Sequence, residues 1–298
     1  MSESKGQRTC LVTGGTEGIG RAVCLELAQR GNRVLFVGRD EARAREVMAA
    51  MQAISTAPHA FIAADLSRLS ETARVATEIS TRVDRLDAAV LCAGILSTIP
   101  EWTDEGLERS FVLNYLTRYL LVRRLLPQLL DAPSGRIVLV SNVGRYPDTL
   151  DFDDLQHRRG KPGLAVSGRT QFANDLFAVE LADRVRGTSL QVSCVFPGLT
   201  RTRVFANARG LPWFFRVLAP VIRWFGHSPQ TAATTPVFLA QSADAGATNG
   251  RFFGPRLREI AVPQRALRRD RRLQLWEASE ALTASLSEAK TQAAAPSP

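Results

Sequence analysis

The chain has 298 residues, of which 45% are hydrophobic, and these totals exclude a disordered chain and fit one large α/β domain or two small ones. No stretch approaches the ~18 consecutive apolar residues of a membrane span, and the polar start MSESKGQRT lacks the apolar core of a signal peptide, so we expect a cytoplasmic protein. The net charge of +9 comes almost entirely from arginine, spread along the chain with one local excess over residues 256–272. A basic chain can bind nucleic acid, but basic and aromatic residues are not interleaved as in RNA-binding proteins. We therefore favour solvated helix faces and attraction for an anionic cofactor over nucleic-acid binding.

Short apolar runs alternate with amphipathic stretches along the chain. The runs predict strands at 9–15, 33–39, 59–65, 86–94, 135–142 and 189–198. The amphipathic stretches predict helices at 18–31, 40–53, from Ser67 onward, and at 104–130, 164–186 and 229–242. Continuous apolar strands separated by helices indicate a parallel sheet covered on both faces. The sequence therefore predicts an α/β fold with a Rossmann-type doubly wound parallel sheet, in a single domain over residues 1–298, with an irregular insertion at 199–228 and a flexible tail at 284–298.

The four cysteines are Cys10, Cys24, Cys92 and Cys194. Three lie in apolar strand-like runs and Cys24 in a helical one, with no spacing that suggests a disulfide framework or a metal clip. We expect buried, reduced thiols and no metal site.

A glycine-rich turn joins the first predicted strand to the first helix. Gly14, Gly18 and Gly20 allow a tight turn and a close approach of the backbone to a pyrophosphate, which then lies at the positive end of the helix. Because this motif begins an alternating β/α pattern, it predicts a dinucleotide site. The second strand ends at Arg39, where an arginine accepts a 2′-phosphate, so NADP is favoured over NAD, although Asp40 follows directly. The basic balance of the chain fits attraction for such an anionic cofactor.

Several segments resemble the short-chain dehydrogenase/reductase family. TGGTEGIG at 13–20 matches that family's TGxxxGIG, and Asp65 stands where the family has an acid that meets the adenine. LCAG at 91–94 replaces NNAG, with Cys92 for the second Asn. Asn114 in FVLNYL matches the family's structural and catalytic Asn. PGLTRT at 197–202 matches PGxxxT, whose Thr202 would contact the nicotinamide carboxamide.

Further segments resemble the retinol-dehydrogenase-like branch, so that the resemblance covers about residues 8–283. They are FDDLQ (152–156), FANDLFAVELA (172–182), SPQTAATTPVFLA (228–240) and LWEASEALT (275–283). The resemblance, with the glycine motif and Arg39, implies the following contacts to NADP(H): Gly14, Thr16, Gly18, Ile19, Gly20, Arg39, Asp65, Leu66, Ala93, Gly94, Gln171, Pro197, Gly198 and Thr202.

The residues that do the chemistry in this family are replaced. Its Tyr gives a proton to the substrate oxygen, a Lys four residues later lowers the pKa of that Tyr, and a Ser at the end of the fifth strand bonds the same oxygen. FANDLF fixes the register, which puts Ser167 at the Tyr position and Gln171 at the Lys position. Asn142 takes the place of the catalytic Ser, and Asn114 alone is retained. Losing a general acid typically costs ~10²–10⁴-fold in rate.

Two other groups are candidate replacements. Arg118 follows Asn114 by four residues and should face the same way, and Tyr146 follows Asn142 in the loop that borders the pocket. For each we also keep the ordinary alternative, an ion-pair partner for Arg118 and a loop anchor for Tyr146. The aromatic segment 211–225, a substrate lid in the resembling family, would suit a bulky apolar ligand. A helix on a membrane surface and ordinary packing are the alternatives.

Three functional hypotheses follow from these residues. The first is an atypical NADP(H)-dependent reductase that acts on an acceptor already electrophilic, such as an enone, a quinone or an iminium. The second is a non-redox cyclase or isomerase of specialised metabolism, with a structural or absent cofactor. The third is an NADP-binding protein without turnover. The resemblance also implies a homodimer that pairs through the helices at 104–130 and 164–186.

Overall fold

The computed structural model describes residues 7–201, 208–210, 226–241 and 247–293, with the side chains of the last range described as far as Ala284. The described strands are β1 (Thr9–Thr13), β2 (Arg33–Gly38), β3 (Ala60–Ala63), β4 (Ala88–Leu91), β5 (Arg136–Val140), β6 (Gln191–Val195), β7 (Arg251–Phe253) and β8 (Glu259–Ile260). They form one sheet in the order β3-β2-β1-β4-β5-β6-β7-β8. The strands from β3 to β7 pair in parallel, and β8 pairs antiparallel to β7. The predicted doubly wound parallel sheet is confirmed.

Helices lie on both faces of this sheet. They are α1 (Gly18–Gln29), α2 (Glu41–Gln52), α3 (Leu69–Arg82), α4 (Arg109–Phe111), a π-helical turn (Val112–Leu116), α5 (Thr117–Leu130), α6 (Ala165–Arg184), α7 (Pro229–Gln241), α8 (Gln264–Leu267) and α9 (Arg269–Ala293), with short 3₁₀ turns at Phe152–Asp154 and Pro255–Leu257. One buried apolar cluster packs α3, α5, α6 and the start of α9 against one face. A second cluster packs α1, α2 and α7 against the other. Among the described residues, no helix is both long and apolar enough to cross a membrane.

Two helix starts differ from the sequence prediction. Helix α3 begins at Leu69 rather than near Ser67, because the Ser67 amide and hydroxyl both donate to Oδ1 of Asp65 at 3.0 and 2.8 Å. The helix predicted at 104–130 begins only at Arg109, where the Glu108 carboxylate caps it by accepting from the amides of Ser110 and Phe111. Asn114 then lies in the π-helical turn, a local widening that is frequent at functional sites.

The C-terminal helix covers the surface through which the resembling family pairs. Trp276 of α9 is 4% exposed and packs against Tyr119 of α5 and Phe177 of α6, with ring centroids 5.2 and 6.1 Å apart. The hydroxyls of Ser279 and Tyr115 are 2.7 Å apart. Helix α9 continues to Ala293, past residue 284 where the sequence predicts a flexible tail. Helix α9 thus packs on the two helices through which the resemblance implies a homodimer, and that homodimer stays a prediction.

Candidate active site

A cleft of about 780 Å³ opens at the carboxyl ends of β1, β2 and β4. This is the edge at which doubly wound sheets bind ligands. Most of the predicted cofactor contacts line it: Gly14, Thr16, Gly18, Ile19, Gly20, Arg39, Asp65, Leu66, Ala93 and Gly94. Pro197 and Gly198, which follow β6, and Gln171 of α6 do not line this cleft, and Thr202, like the segment 211–225, lies outside the described residues.

The glycine turn is shaped as a dinucleotide requires. Gly14 and Gly18 have φ of +67° and +56°, a region that side chains rarely adopt. A Cβ at Gly20 would lie 2.2 Å from the Gly14 carbonyl oxygen, and a Cβ at Gly14 would lie 3.0 Å from Cα of Ala93. Any side chain here would close the space between β1, α1 and β4, so the turn fits the pyrophosphate of a nicotinamide dinucleotide.

At the end of β2, Arg39 and Asp40 have separate roles. The Asp40 carboxylate caps α2 by accepting from the Arg43 amide at 3.0 Å and pairs with Nε of Arg43 at 3.2 Å. Arg43 also pairs with Glu17 at 2.6 Å. Arg39 is exposed, and no hydrogen bond or ion pair joins it to another described residue. Asp40 is thus occupied as a helix cap, and the Arg39 guanidinium is available to a phosphate.

Asp65, which lines the cleft, keeps its charge. Burial alone would raise its pKa, but the Ser67 amide and hydroxyl, with Arg39 and Arg109 nearby, hold the pKa of this carboxyl below its usual range. It is therefore a hydrogen-bond acceptor at neutral pH.

Asn114 and Arg118 lie together beneath Gly94, as their spacing predicts, yet both are tied to the backbone. Asn114 accepts from the Ile95 amide at 2.8 Å and donates to the Ile95 carbonyl at 3.0 Å. Arg118 is 4% exposed and donates to the carbonyls of Ala93 and Val140 at 3.0 and 2.9 Å. Burial lowers the pKa of Arg118 to about 10, which leaves it charged at neutral pH. This geometry favours a structural clamp between β4 and β5 over a proton donor.

Ser167, at the family's Tyr position, is hydrogen-bonded to the backbone of Ser97. It is 2% exposed, its hydroxyl donates to the Ser97 carbonyl at 2.7 Å, and it accepts from the Ser97 amide at 2.8 Å. On its other side the same segment pairs with Arg209, since the Thr98 amide donates to the Arg209 carbonyl at 3.0 Å. The backbone around Ser97 therefore lies against α6 beside the place where the family has its phenol, and the one proton of the Ser167 hydroxyl is already donated, so Ser167 has no free donor for a substrate.

Gln171, at the family's Lys position, holds the end of β5. Its Oε1 accepts from the Ser141 hydroxyl at 2.6 Å and from the Asn142 amide at 3.0 Å. An ammonium group could make neither contact, because it has no acceptor. Only the Nε2 of Gln171 retains donors for a ribose hydroxyl, with Thr170 3.5 Å away.

Tyr146 lies against the same helix. A Cβ at Gly168 would come within 2.8 Å of Cδ1 of Tyr146, so Gly168 makes room for this ring beside Ser167. The ring is half-buried. Of the two candidate replacements, Tyr146 is the one whose polar group is not tied to the backbone in the described part of the chain.

Some residues of the cleft were not anticipated from the sequence. Leu113, Glu101, Arg109 and Arg209 also line it, and Glu101 pairs with both arginines, with Arg109 at 3.6 Å. Leu113 directly precedes Asn114 and could have been inferred from it, whereas Arg209 lies in the insertion and carries no local signal.

Three cysteines are buried as expected, but Cys92 lines the cleft. Burial raises the pKa of the Cys92 thiol to about 12, so this thiol stays protonated.

A doubly wound sheet with a glycine-lined cleft at this edge defines a dinucleotide-binding fold. Residues 8–150 match the family model for short chain dehydrogenase. Human retinol dehydrogenase 14 is 31% identical over 92% of this chain and 86% of its own. An uncharacterized protein from Mycobacterium Paratuberculosis has a TM-score of 0.70 and 26% identity, over 93% of each chain. A Shigella flexneri short chain dehydrogenase complexed with NADP has a similar fold, with a TM-score of 0.64 and 24% identity over 83% of this chain and 96% of its own.

The chain therefore belongs to the short-chain dehydrogenase/reductase family of oxidoreductases, in its retinol-dehydrogenase-like branch. Members of this family bind nicotinamide cofactors.

Proposed function

We propose that this protein binds NADP(H) and reduces a bulky apolar acceptor that is already electrophilic, such as a conjugated enone, a quinone or an iminium. The observation that carries the proposal is the contrast between a glycine-lined cleft with ten of the predicted dinucleotide contacts and a helix α6 without the family's phenol and ammonium. Ser167 and Gln171 stand in their places, and the Ser167 hydroxyl is held by Ser97 in both directions.

The preference for NADP(H) rests on the end of β2. Asp40, which could have repelled a 2′-phosphate, caps α2 and pairs with Arg43, and this leaves Arg39 facing the cleft. Glu17 and Asp40 occupy Arg43, so Arg39 is the main recognition group for the phosphate. The pyrophosphate would lie on the Gly14–Gly20 turn, and Asp65 would accept from the adenine.

The class of acceptor follows from the missing acid. When bound, the cofactor supplies hydride. A simple ketone also needs a proton on its oxygen as its carbon accepts hydride, and without a tuned donor this step loses ~10²–10⁴-fold, about 3–5 kcal/mol of barrier. An enone or a quinone spreads the developing negative charge and can take its one proton from water, and an iminium needs no proton at all. The name of the relative, retinol dehydrogenase 14, supports an apolar substrate.

The test uses the purified full-length chain. We expect NADPH to bind more tightly than NADH, and cofactor absorbance to fall on addition of apolar enones, quinones or iminium ions but not of the matching saturated ketone. A substrate converted while the cofactor stays unchanged would instead indicate a cyclase or an isomerase. Tight NADPH binding without turnover of any acceptor would indicate a binding protein.

A further inference from the structure

The loop at 141–150, which carries Asn142 and Tyr146, lies along one face of α6. Residues 168, 171 and 175 are spaced by three and four positions and therefore share that face. Gly168 makes room for the Tyr146 ring, and Gln171 accepts from the Asn142 amide. One turn further on, Asp175 accepts from the Gly144 amide at 2.9 Å. The position of the loop is thus set by three successive turns of α6.

Of the three residues on this face, Asp175 is the one whose burial costs free energy. The residue is 1% exposed, and its Oδ1 is buried with no hydrogen-bond partner among the described residues. Burial raises the pKa of Asp175 to about 7, although the Gly144 amide and Arg265 both act to lower it. A half-satisfied buried carboxyl destabilises a fold. Such groups occur preferentially at functional sites, where a perturbed titration serves the chemistry.

Gly144 is held from both sides. Its amide donates to Asp175, while its carbonyl accepts from Nη2 of Arg265, in α8, at 3.1 Å. Its φ of +70° makes it the turning point of the loop. Beyond it, the Arg145 guanidinium lies 4.0 Å from the ring centroid of Phe196, which precedes Pro197. The loop therefore reaches from α6 to the end of β6.

Few charged groups face the Asp175 carboxyl in the described part of the chain. Arg265 faces it from α8, and Cys194 from β6. Burial raises the pKa of the Cys194 thiol well above its usual value, so the thiol stays neutral. Arg118, from α5, faces Cys194 and donates to Asn174 at 3.2 Å. Arg265 is thus the cation that balances an ionised Asp175, across the Gly144 peptide.

We propose that Asp175 is a positioning residue for the candidate active site: with Arg265 it clamps Gly144 and thereby sets where the loop presents Asn142 and Tyr146. The clamp itself is independent of the proposed function. Only the statement that the loop serves an active site rests on that function. When Asp175 is ionised, its carboxylate accepts from the Gly144 amide, while Arg265 donates to the Gly144 carbonyl. With Asp175 protonated, the acceptor is weaker and the Arg265 charge is unbalanced, so the loop relaxes away from α6.

The test follows the loop directly, by amide NMR spectra of the deuterated, ¹⁵N-labelled full-length protein between about pH 5.5 and 8.5. We expect the Gly144 amide shift to titrate with a midpoint near 7, and the amides of Asn142 and Tyr146 to move with the same midpoint. Asp175→Asn should abolish all three transitions. Arg265→Gln should raise the midpoint, because this cation lowers the pKa of Asp175.

The matched control is Asp183→Asn, which removes a carboxylate from the same helix where it faces Arg272 and Arg186 rather than the loop. It should leave the three transitions unchanged. A Gly144 shift that stays flat, or that titrates equally in Asp175→Asn, contradicts the proposal. So does a Gly144 titration that leaves Asn142 and Tyr146 unmoved, since Asp175 would then bond one amide and position nothing.

Measurements of turnover against pH distinguish a failure of this proposal from a failure of the proposed function. If an electrophilic acceptor is reduced, the rate of the wild-type protein should show an inflection near pH 7 that Asp175→Asn lacks and Asp183→Asn retains. A rate profile that is the same in all three proteins contradicts the positioning role. If no acceptor is reduced but the three amides titrate together, the proposed reductase function fails and the clamp on the loop stands.

Discussion

Restoring the family's residues by Ser167→Tyr with Gln171→Lys would not produce an ordinary ketone reductase. The Ser167 hydroxyl makes two buried hydrogen bonds to the backbone of Ser97, at 2.7 and 2.8 Å, in a position that is 2% exposed. A phenol ring needs the volume that the Ser97 segment occupies. That segment cannot move freely, because Arg209 pairs with it on the other side.

The cost can be worked out from these contacts. Each of the two Ser97 groups left unpaired in the interior costs about 1–3 kcal/mol, and forcing extra atoms into a packed site costs about 1–3 kcal/mol more. The Gln171→Lys change would orphan two further donors, the Ser141 hydroxyl and the Asn142 amide. We therefore expect the double variant to lose at least about 3 kcal/mol of unfolding free energy, a large part of the ~5–15 kcal/mol typical of a domain.

The assay is urea unfolding, followed by cofactor absorbance with an apolar saturated ketone. Ser167→Ala is the matched control, because it breaks the same hydrogen bonds without adding volume and should lose less stability than the double variant. A double variant as stable as the wild-type protein that also reduces the saturated ketone would refute this reading of α6. It would mean that the rest of the site is intact and that only two side chains were lost.

Three further predictions concern the cofactor, the C-terminal helix and pH. Arg39→Ala should weaken NADPH binding by about tenfold or more, roughly 1.4 kcal/mol, and leave NADH binding unchanged, whereas Arg33→Ala, away from the cleft, should change neither in a calorimetric titration. Trp276→Ala should cost about 3–5 kcal/mol of unfolding free energy, and in size-exclusion chromatography with light scattering it should self-associate more than the wild-type protein, because it weakens the packing of α9 on α5 and α6. Burial raises the pKa of Asp175 to about 7, above its ordinary 3.8, so the native state binds the extra proton and stability falls as pH rises through that window. Asp175→Asn should remove this fall, so its stability relative to the wild-type protein should be greater at about pH 8 than at about pH 5, as measured by urea unfolding.

The sheet and the glycine turn could be predicted from the sequence because their signals are local. Strand β1, the turn at Gly14 and the start of α1 follow one another within a few residues, and each strand from β1 to β5 contains a continuous apolar run. Helix ends were less predictable, since they depend on single side-chain contacts. Ser67 is an example, because a serine that could cap α3 instead serves Asp65.

The organisation of the site could not be predicted, because its contacts join distant parts of the chain. Ser167 and Ser97 are far apart in sequence, and nothing around Ser167 indicates that its hydroxyl is already bonded. Asp175 resembles an ordinary helix residue until its burial and its contact with Gly144 are known. The arginine excess at 256–272 is likewise explained in part by internal contacts, as Arg265 shows.

Hydride transfer from NADPH without the family's phenol and ammonium can be followed with an isotope label. NADPH that carries deuterium at the transferable position is incubated with the wild-type protein and an apolar enone, and the product is analysed by mass spectrometry. We predict that one deuterium appears in the reduced product, on carbon, and that the matching saturated ketone remains unchanged. Conversion of a substrate without deuterium, or efficient reduction of the saturated ketone, would contradict this prediction.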